Sequence, residues 1–438
     1  MPRHLHHSTR LGALGLRELI AIGVGGMIGG GIFSILGLGA QIAGTGVVYA
    51  LAIGGAVATF AAYSYVRLSA TFPTDGASYT YVSRAFEEHP TYGAVTGWTV
   101  ILGYMGTLSL YAYTFGAYAG DLIGLGGNTA ARLVLSSSIL LLLMAVNLGG
   151  ARLTGTAEDF VVYTKIAILT GFGITGLVVS RDTLITPTLD KGVGSILVAG
   201  ALIFVAYEGF QLIANAVEET DDPIRNVPRG MYSSIAIVTL IYVGLAYVAI
   251  SALSVEELVA AKEYALAAAA QPVLGEVGTI LVGLAAMLAT SSAVNSTLFG
   301  ASRMMAEMGS DRVMPRGFAT RTGHGVPKNA LITMTAVGLA LSLAGSLEVI
   351  ASFSSLTFLV VSLVVSVANL QLKERTGART WIVVTGIVLM AATITLLIWY
   401  LATNQPRDLA FVAVFYGAAL TAQQLFARRQ RYREHPDG

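Results

Sequence analysis

The sequence predicts an all-α integral membrane protein with twelve transmembrane helices. Its 438 residues are 55% hydrophobic and 12% charged, with a mean hydropathy of +0.71, whereas a soluble chain carries about 25% charged residues. Apolar segments near the roughly 20 residues that a bilayer requires recur along the chain. The cations between these segments are unevenly distributed, and this asymmetry predicts an orientation.

Twelve apolar segments account for the predicted spans. They cover residues 16–43, 46–72, 92–120, 133–148, 158–179, 194–217, 231–252, 278–305, 329–345, 347–372, 380–400 and 409–427. Each Lys and Arg can be assigned to the side of the membrane on which its loop, tail or helix end lies. Of these residues, 20 lie on the side of the termini and 5 on the opposite side, and Lys165 is left inside a span. The positive-inside rule therefore predicts a multi-pass protein of the cell (plasma) membrane with both termini cytoplasmic.

The first span contains six glycines between Gly23 and Gly31. Each glycine weakens a helix by up to about 1 kcal/mol relative to alanine, so the triplet Gly29–Gly31 predicts unwinding at membrane depth. Unwound backbone is tolerated there only where it lines an enclosed or wet cavity. Amides at the start of the second half-helix would bind a carboxylate, and carbonyls at the end of the first half would bind an ammonium group. The alternative is that the glycines serve close helix packing.

A second interruption is predicted in the sixth span, where Glu208 and Gly209 lie inside an apolar segment. Spans one and six take equivalent positions if the first ten spans form two five-span halves. Because each half has an odd number of spans, the two halves would have opposite orientations in the membrane. Paired interrupted helices mark the binding sites of many transporters. The predicted organisation is a tail, two inverted halves, two further helices and a second tail, at residues 1–15, 16–180, 194–372, 380–427 and 428–438.

Two ionisable side chains are predicted deep in the membrane, Lys165 in the fifth span and Glu208 in the sixth. A charge at the bilayer centre costs at least about 2.5 kcal/mol on insertion scales, so both residues are candidates for function. Burial disfavours the charged form of a lysine, which would let Lys165 carry a proton. The alternative is a lysine that snorkels to the interface. Glu208 would touch a substrate amine or titrate, or else hold the interruption in place.

Three further segments have two interpretations each. Hydroxyls in the eighth span, at residues 290–297, would line an ion or proton site or form hydrogen bonds between neighbouring helices. The acidic loop 216–229 would be a solvated connection or a gate. Aromatic side chains of the third span, Tyr111 among them, would wall a pocket, although packing roles are favoured for most. The sequence of residues 255–270 predicts an amphipathic surface helix, with Ser254 as its N-cap and Glu256 and Glu257 in its first turn.

Composition argues against several other classes of protein. The net charge of +1 gives no basis for binding nucleic acid, and the absence of cysteine excludes disulfides and thiol chemistry. All six histidines lie at the termini or in loops. We therefore expect no metal, no cofactor and no enzymatic activity, since no nucleophile and base are clustered in a membrane segment.

Three stretches carry a family resemblance: GMIGGGIF at residues 26–33, AYEGF at residues 206–210 and EETDDPIRNVPR at residues 218–229. Through them the chain resembles the amino acid–polyamine–organocation (APC) superfamily of transporters. The stretch AEDFVVYTK at residues 157–165 is similar to the proton-coupled, broad-specificity amino acid transporters of that group. The resemblance implies a LeuT-like 5+5 inverted repeat with broken helices one and six, plus two extra C-terminal helices.

The resemblance also implies a mechanism, secondary active amino acid transport by alternating access, with protons as the coupling ion. Lys165 would face the carbonyl of Gly25 and the hydroxyl of Ser291 or Ser292. Substrate would bind at the two interruptions, through Met27, Ile28, Gly29, Gly30, Gly31, Phe204, Val205, Tyr207 and Glu208. The alternative is a sodium-independent amino acid or polyamine exchanger of the same fold. The expected partners are an amino acid substrate, protons and the lipid bilayer; the oligomeric state stays open, and a monomer is compatible with the sequence.

Overall fold

The computed structural model describes residues 14–74, 76–149, 155–180, 185–323 and 325–434, including their side chains outside residues 155–159 and 429–434. Within these ranges every regular element is helical, and strand-like pairing is limited to one bridge between Leu14 and Thr220. Nine helical stretches of the described residues are long and apolar enough to cross a membrane. An all-helical, multi-pass membrane protein is thus confirmed, whereas twelve crossings and the inverted repeat stay predictions. Residues 1–13 of the first predicted tail and residues 435–438 of the second lie outside the described residues.

Seventeen α-helices make up the described chain. The first nine are α1 Leu16–Met27, α2 Gly30–Ala43, α3 Val47–Thr71, α4 Ala77–Ala85, α5 Pro90–Leu122, α6 Thr129–Leu148, α7 Gly155–Val179, α8 Gly192–Ile203 and α9 Gln211–Ala214. The other eight are α10 Pro223–Ala252, α11 Val255–Ala261, α12 Ala265–Ser310, α13 Lys328–Ala344, α14 Leu347–Gln371, α15 Lys373–Thr376, α16 Thr380–Asn404 and α17 Pro406–Glu434. Each predicted span coincides with one helix or with helices joined at an interruption.

The helices differ in how far their neighbours cover them. In the segment from α8 to α9, 94% of the most apolar 18-residue stretch is buried inside the protein, and the corresponding share in α14 is 83%. The share falls to 22% in α16 and to 11% in α17. Large side chains of α16 are correspondingly exposed, with Trp381 at 63% and Trp399 at 60%. In a bilayer such surfaces contact lipid, so α16 and α17 lie at the periphery while α8, α9 and α14 lie at the centre.

The segment after α10 departs from its predicted form. Ser254 caps α11 as expected, since its hydroxyl accepts the N–H of Glu257 at 3.3 Å and its own N–H donates to the Glu257 carboxylate at 2.8 Å. Hydrogen bonds from Ser254 lower the pKa of that carboxyl. The prediction of one continuous helix over residues 255–270 is wrong. Lys262 has a φ of 43°, and a 3₁₀ turn, Lys262–Tyr264, separates α11 from α12. Left-handed backbone at a lysine is incompatible with a continuous α-helix.

The chain before α1 is joined to the loop after α9 by backbone hydrogen bonds. The N–H of Leu14 donates to the carbonyl of Glu219 at 2.7 Å, and the N–H of Asp221 donates to the carbonyl of Leu14 at 2.9 Å. The connection between α9 and α10 is therefore fastened to the start of the first helix, the helix that contains the glycine run. The predicted loop to residue 229 is wrong, because α10 already begins at Pro223.

Candidate functional site

The first helix is interrupted inside the glycine run. Helix α1 ends at Met27 and α2 begins at Gly30, so that Ile28 and Gly29 are the non-helical residues. The prediction that the whole triplet Gly29–Gly31 unwinds is wrong, because Gly30 and Gly31 form the first turn of α2. The first amides of a helix and its last carbonyls have no partner within that helix. The break therefore exposes the carboxyl end of one helix and the amino end of another to the centre of the protein.

Side chains from three other helices bind the carbonyls at the end of α1. The ammonium group of Lys165, on α7, donates to the carbonyl of Gly25 at 2.9 Å and to that of Ile28 at 2.7 Å. The hydroxyl of Tyr111, on α5, donates to the carbonyl of Gly26 at 3.4 Å. The hydroxyl of Tyr242, on α10, donates to the carbonyl of Met27 at 2.5 Å. Four successive carbonyls thus receive donors from outside their own helix.

Lys165 is fully buried, with an exposed fraction of 0%. A buried ammonium group requires charge or dipole partners, and the carboxyl end of a helix carries partial negative charge. The position of Lys165 therefore suits a cation, and it differs from the snorkelling alternative, in which the ammonium group would reach an interface.

The predicted hydroxyl partners of Lys165 lie on α12. The hydroxyl of Ser291 donates to the carbonyl of Met287, one turn back on the same helix, at 2.7 Å. The hydroxyl of Ser292 is buried without a hydrogen-bond partner among the described residues. One turn further along α12, Asn295 accepts a hydrogen bond of 2.8 Å from the amide of Asn147 on α6. The eighth predicted span thus contains a hydrogen bond between helices as well as an unused hydroxyl.

The sixth predicted span narrows into a 3₁₀ helix, Phe204–Phe210, between α8 and α9. Runs of 3₁₀ helix longer than three or four residues are uncommon, and inside a longer helix they often mark a functional hinge. The interruption expected around Glu208 and Gly209 is therefore a tightened helix rather than an unwound segment.

Glu208 lies within this 3₁₀ helix and is 1% exposed. One carboxyl oxygen, Oε1, accepts a hydrogen bond of 3.1 Å from the hydroxyl of Tyr111. The other, Oε2, is buried without a hydrogen-bond partner among the described residues. An unsatisfied buried oxygen costs about 1–3 kcal/mol, so this atom is available to a further donor.

The two interruptions are in direct backbone contact. A Cβ atom added to Gly26 would lie 3.2 Å from the Cα of Gly209, and one added to Gly209 would overlap the backbone of Gly26 and Met27. A Cβ on Gly31 would lie 2.8 Å from the Cα of Ala206. Close packing, the alternative interpretation of the glycine run, is thus a real function of these glycines, and it coexists with the break.

The predicted residues of the 3₁₀ helix do not all face the break in α1–α2. The hydroxyl of Tyr207 donates to the carbonyl of Leu51 on α3 at 2.8 Å, and the N–H of Val205 donates to the hydroxyl of Ser355 on α14 at 3.0 Å. Phe204 is fully buried. The carbonyl of Ala206 is linked to the break, since it accepts a bond of 3.3 Å from Tyr242, whose hydroxyl also binds the carbonyl of Met27.

Tyr242 and Ala206 were missed by the sequence analysis, and Tyr111 was assigned only a general role in a wall. All three contact both interruptions or bridge them. A signal for Tyr242 was present, since a buried tyrosine hydroxyl within an apolar helix usually has a hydrogen-bond partner. The sequence does not say which of many backbone carbonyls that partner is.

We expect Tyr242→Phe to destabilise the contact between the two interruptions. The substitution keeps the ring but leaves the buried carbonyl of Met27 without its donor, which costs about 1–3 kcal/mol. The midpoint of thermal unfolding in detergent measures the effect. Tyr232→Phe on the same helix is the matched control, because the hydroxyl of Tyr232 makes no hydrogen bond within the described residues. Equal shifts in both variants would contradict the bridging role of Tyr242.

One protein-family model and several known proteins are similar to this chain in sequence. A family model described as amino acid permease matches residues 14–422. The chain is 32% identical to the uncharacterised protein MJ0609 of Methanocaldococcus jannaschii, covering 93% of this chain and 94% of that protein. It is 30% identical to the inner membrane transport protein YbaT of Escherichia coli strain K12, covering 91% and 93%. It is 26% identical to the branched-chain amino acid permease BcaP of Lactococcus lactis, covering 82% of both chains.

Proposed function

This chain belongs to the amino acid permease family of the APC superfamily, and we propose that it is a proton-coupled secondary transporter of amino acids. Membership makes it a transporter with an amino acid substrate rather than an enzyme. The proposal adds proton symport, alternating access in a LeuT-like repeat of twelve spans, and cytoplasmic termini. The observation that carries the coupling is the buried ammonium group of Lys165 on the carbonyls of Gly25 and Ile28.

Protonation of Lys165 would set the strength of its contact with α1. A charged donor makes stronger hydrogen bonds than a neutral one, and a cation is favoured at the carboxyl end of a helix. Protonated Lys165 therefore holds the end of α1 in the conformation seen here, and loss of the proton loosens it. Coupling requires that a bound proton contribute differently to the free energies of two access states, and this contact provides such a difference.

The substrate would bind between the two interruptions. Amides of Gly30 and Gly31 at the start of α2, together with that of Gly29, would bind the carboxylate, and carbonyls near Phe204, Val205 and Tyr207 would bind the amine. In the present conformation a Cβ on Gly29 or Gly30 would lie 2.9 Å from the Tyr111 ring. The Tyr111 ring therefore packs against Gly29 and Gly30, and we expect substrate binding at their amides to displace it. The free oxygen of Glu208 would then lie beside the substrate amine.

Proteoliposomes with an imposed pH gradient test the proposal. We expect an inside-alkaline gradient to drive accumulation of at least one radiolabelled L-amino acid, and a protonophore to abolish it. With one proton per substrate, one pH unit supports accumulation of up to about tenfold. The aliphatic amino acids come first in the panel, because one relative is named a branched-chain amino acid permease.

The same preparation discriminates between symport and exchange. Uptake that requires an amino acid inside the vesicle, with no change in internal pH, would contradict proton symport and support the exchanger. Uptake into empty vesicles with internal acidification supports the symporter.

A further inference from the structure

A further cavity, of about 430 Å³, is present among the described residues. It is bounded by the last turns of α5, the first turn of α6 and the 3₁₀ turn after α11. Its lining includes Tyr113, Thr129, Arg132, Lys262, Glu263 and Tyr264. The cavity is separate from the two interruptions, whose residues are not among those that line it. Its volume falls within the about 300–1,000 Å³ typical of small-molecule sites.

Two opposite charges flank one tyrosine in this cavity. The guanidinium carbon of Arg132 lies 3.8 Å from the centre of the Tyr113 ring, in a cation–π contact. The hydroxyl of Tyr113 donates to the carboxylate of Glu263 at 2.9 Å. Arg132 and Glu263 thus contact the same side chain, one over its face and one at its tip, and neither forms an ion pair with the other in the described chain.

Arg132 retains an unused donor. Its Nη1 atom is buried without a hydrogen-bond partner among the described residues. The cation–π contact stabilises the charge but leaves this N–H group unsatisfied. The lining also includes Asn128, the N-cap residue of α6, so the positive end of that helix dipole faces the same space. The Arg132 side of the cavity therefore favours a carboxylate.

Backbone packing fixes both walls of the cavity. A Cβ on Gly116 of α5 would lie 2.5 Å from the carbonyl oxygen of Arg132, which holds the start of α6 against α5. A Cβ on Gly37 of α2 would lie 2.6 Å from the carbonyl oxygen of Lys262. The wall that contains Glu263 therefore rests on the middle of α2, the helix that begins at Gly30 in the break. The cavity is built on the same helix as the proposed transport site.

We propose that this cavity is a second binding site for an α-amino acid, recognised through its main-chain groups. The carboxylate binds Nη1 of Arg132 and the positive end of α6, and the ammonium group binds Glu263. This inference rests on the proposed function for its choice of ligand class and for the side of the membrane on which the site opens. With the termini in the cytoplasm, the site opens on the outer side, where an incoming amino acid arrives.

Protection of a single cysteine from labelling tests the second site, because the natural chain contains no cysteine. Thr129 is exposed and lines the cavity, whereas the neighbouring Ala130 is exposed but lies outside the lining. In Thr129→Cys, we expect L-alanine to slow reaction with a membrane-impermeant maleimide. In Ala130→Cys the rate should not change. Propionate and ethylamine, which each lack one main-chain group, should protect Thr129→Cys only at concentrations roughly tenfold higher or more.

Substitutions of the two charged residues complete the test. Adding Arg132→Gln or Glu263→Gln to Thr129→Cys should raise the half-protecting L-alanine concentration roughly tenfold or more, while Arg132→Lys should raise it less. An unchanged labelling rate without ligand shows that the cavity has kept its structure. Protection that survives both glutamine variants, or that appears equally in Ala130→Cys, overturns the proposal.

Protection in a Lys165→Ala background separates this site from the transport site. We expect protection of Thr129→Cys to persist there, since Lys165 does not line the cavity. Loss of protection with Lys165→Ala would mean that L-alanine acts through the transport site, and would overturn the second site alone. Failure of pH-driven uptake, with protection intact, would count against the proposed proton symport alone.

Discussion

Replacement of Lys165 by alanine is expected to abolish amino acid uptake together with its dependence on pH. The ammonium group is buried and binds two carbonyls of the broken helix, those of Gly25 and Ile28. Its removal leaves these acceptors without that donor, and a lost charged partner costs about 1.5–3 kcal/mol per hydrogen bond. It also removes the group whose protonation would distinguish two access states. Initial rates of uptake into proteoliposomes, measured across a range of external pH, report both effects.

Two further variants separate coupling from folding. Lys165→Met fills most of the same volume without a donor, and it should behave like Lys165→Ala in transport. Lys165→Arg keeps the charge but is effectively always protonated, so it should retain the contact with α1 and lose the pH dependence. Size-exclusion chromatography checks that each variant remains folded. Normal, pH-dependent uptake by Lys165→Met would exclude Lys165 as the coupling residue.

The sequence predicted the presence of the break in α1–α2 better than its form. Glycine density signals weak helix propensity, and it located the break to within two residues. It could not show that Gly30 and Gly31 stay helical. That outcome depends on tertiary contacts, since a Cβ on Gly30 would meet Thr114 at 2.9 Å and one on Gly31 would meet Ala206. These glycines are needed for the neighbours they approach as much as for the conformation they allow.

The buried charges were predictable for a different reason. A lysine or glutamate in an apolar segment is conspicuous whatever the fold, so Lys165 and Glu208 stand out in the sequence. Their partners do not. Tyr111 binds Glu208 across 97 positions of the chain, and the pairing exists only because the fold places α5 against both broken helices. Tyrosines are common in this chain, 19 in all, so the residue type alone does not identify the ones that bridge.

The contact between the two interruptions was the least predictable part of the site and has a large expected effect. We expect Gly209→Ala to reduce uptake roughly tenfold or more, because overpacking of a tight contact costs about 1–3 kcal/mol. The added methyl group would overlap the backbone of Gly26 and Met27. Backbone atoms cannot rotate away as the end of a side chain can, so the two broken helices must separate. Uptake and the midpoint of thermal unfolding should both fall.

Gly244→Ala on α10 is the matched control for this separation. A Cβ at Gly244 meets nothing within 4 Å, and alanine is favoured over glycine inside a helix by up to about 1 kcal/mol. The same substitution should therefore leave stability unchanged or raise it at Gly244, and lower it at Gly209. If Gly209→Ala transports normally, transport tolerates separation of the two interruptions. The backbone contact between them then does not couple the proposed substrate site to the hydrogen bonds of Lys165 with α1. If only Gly209→Ala fails, the contact between Gly26 and Gly209 is the physical link through which movement of α1 reaches the sixth span.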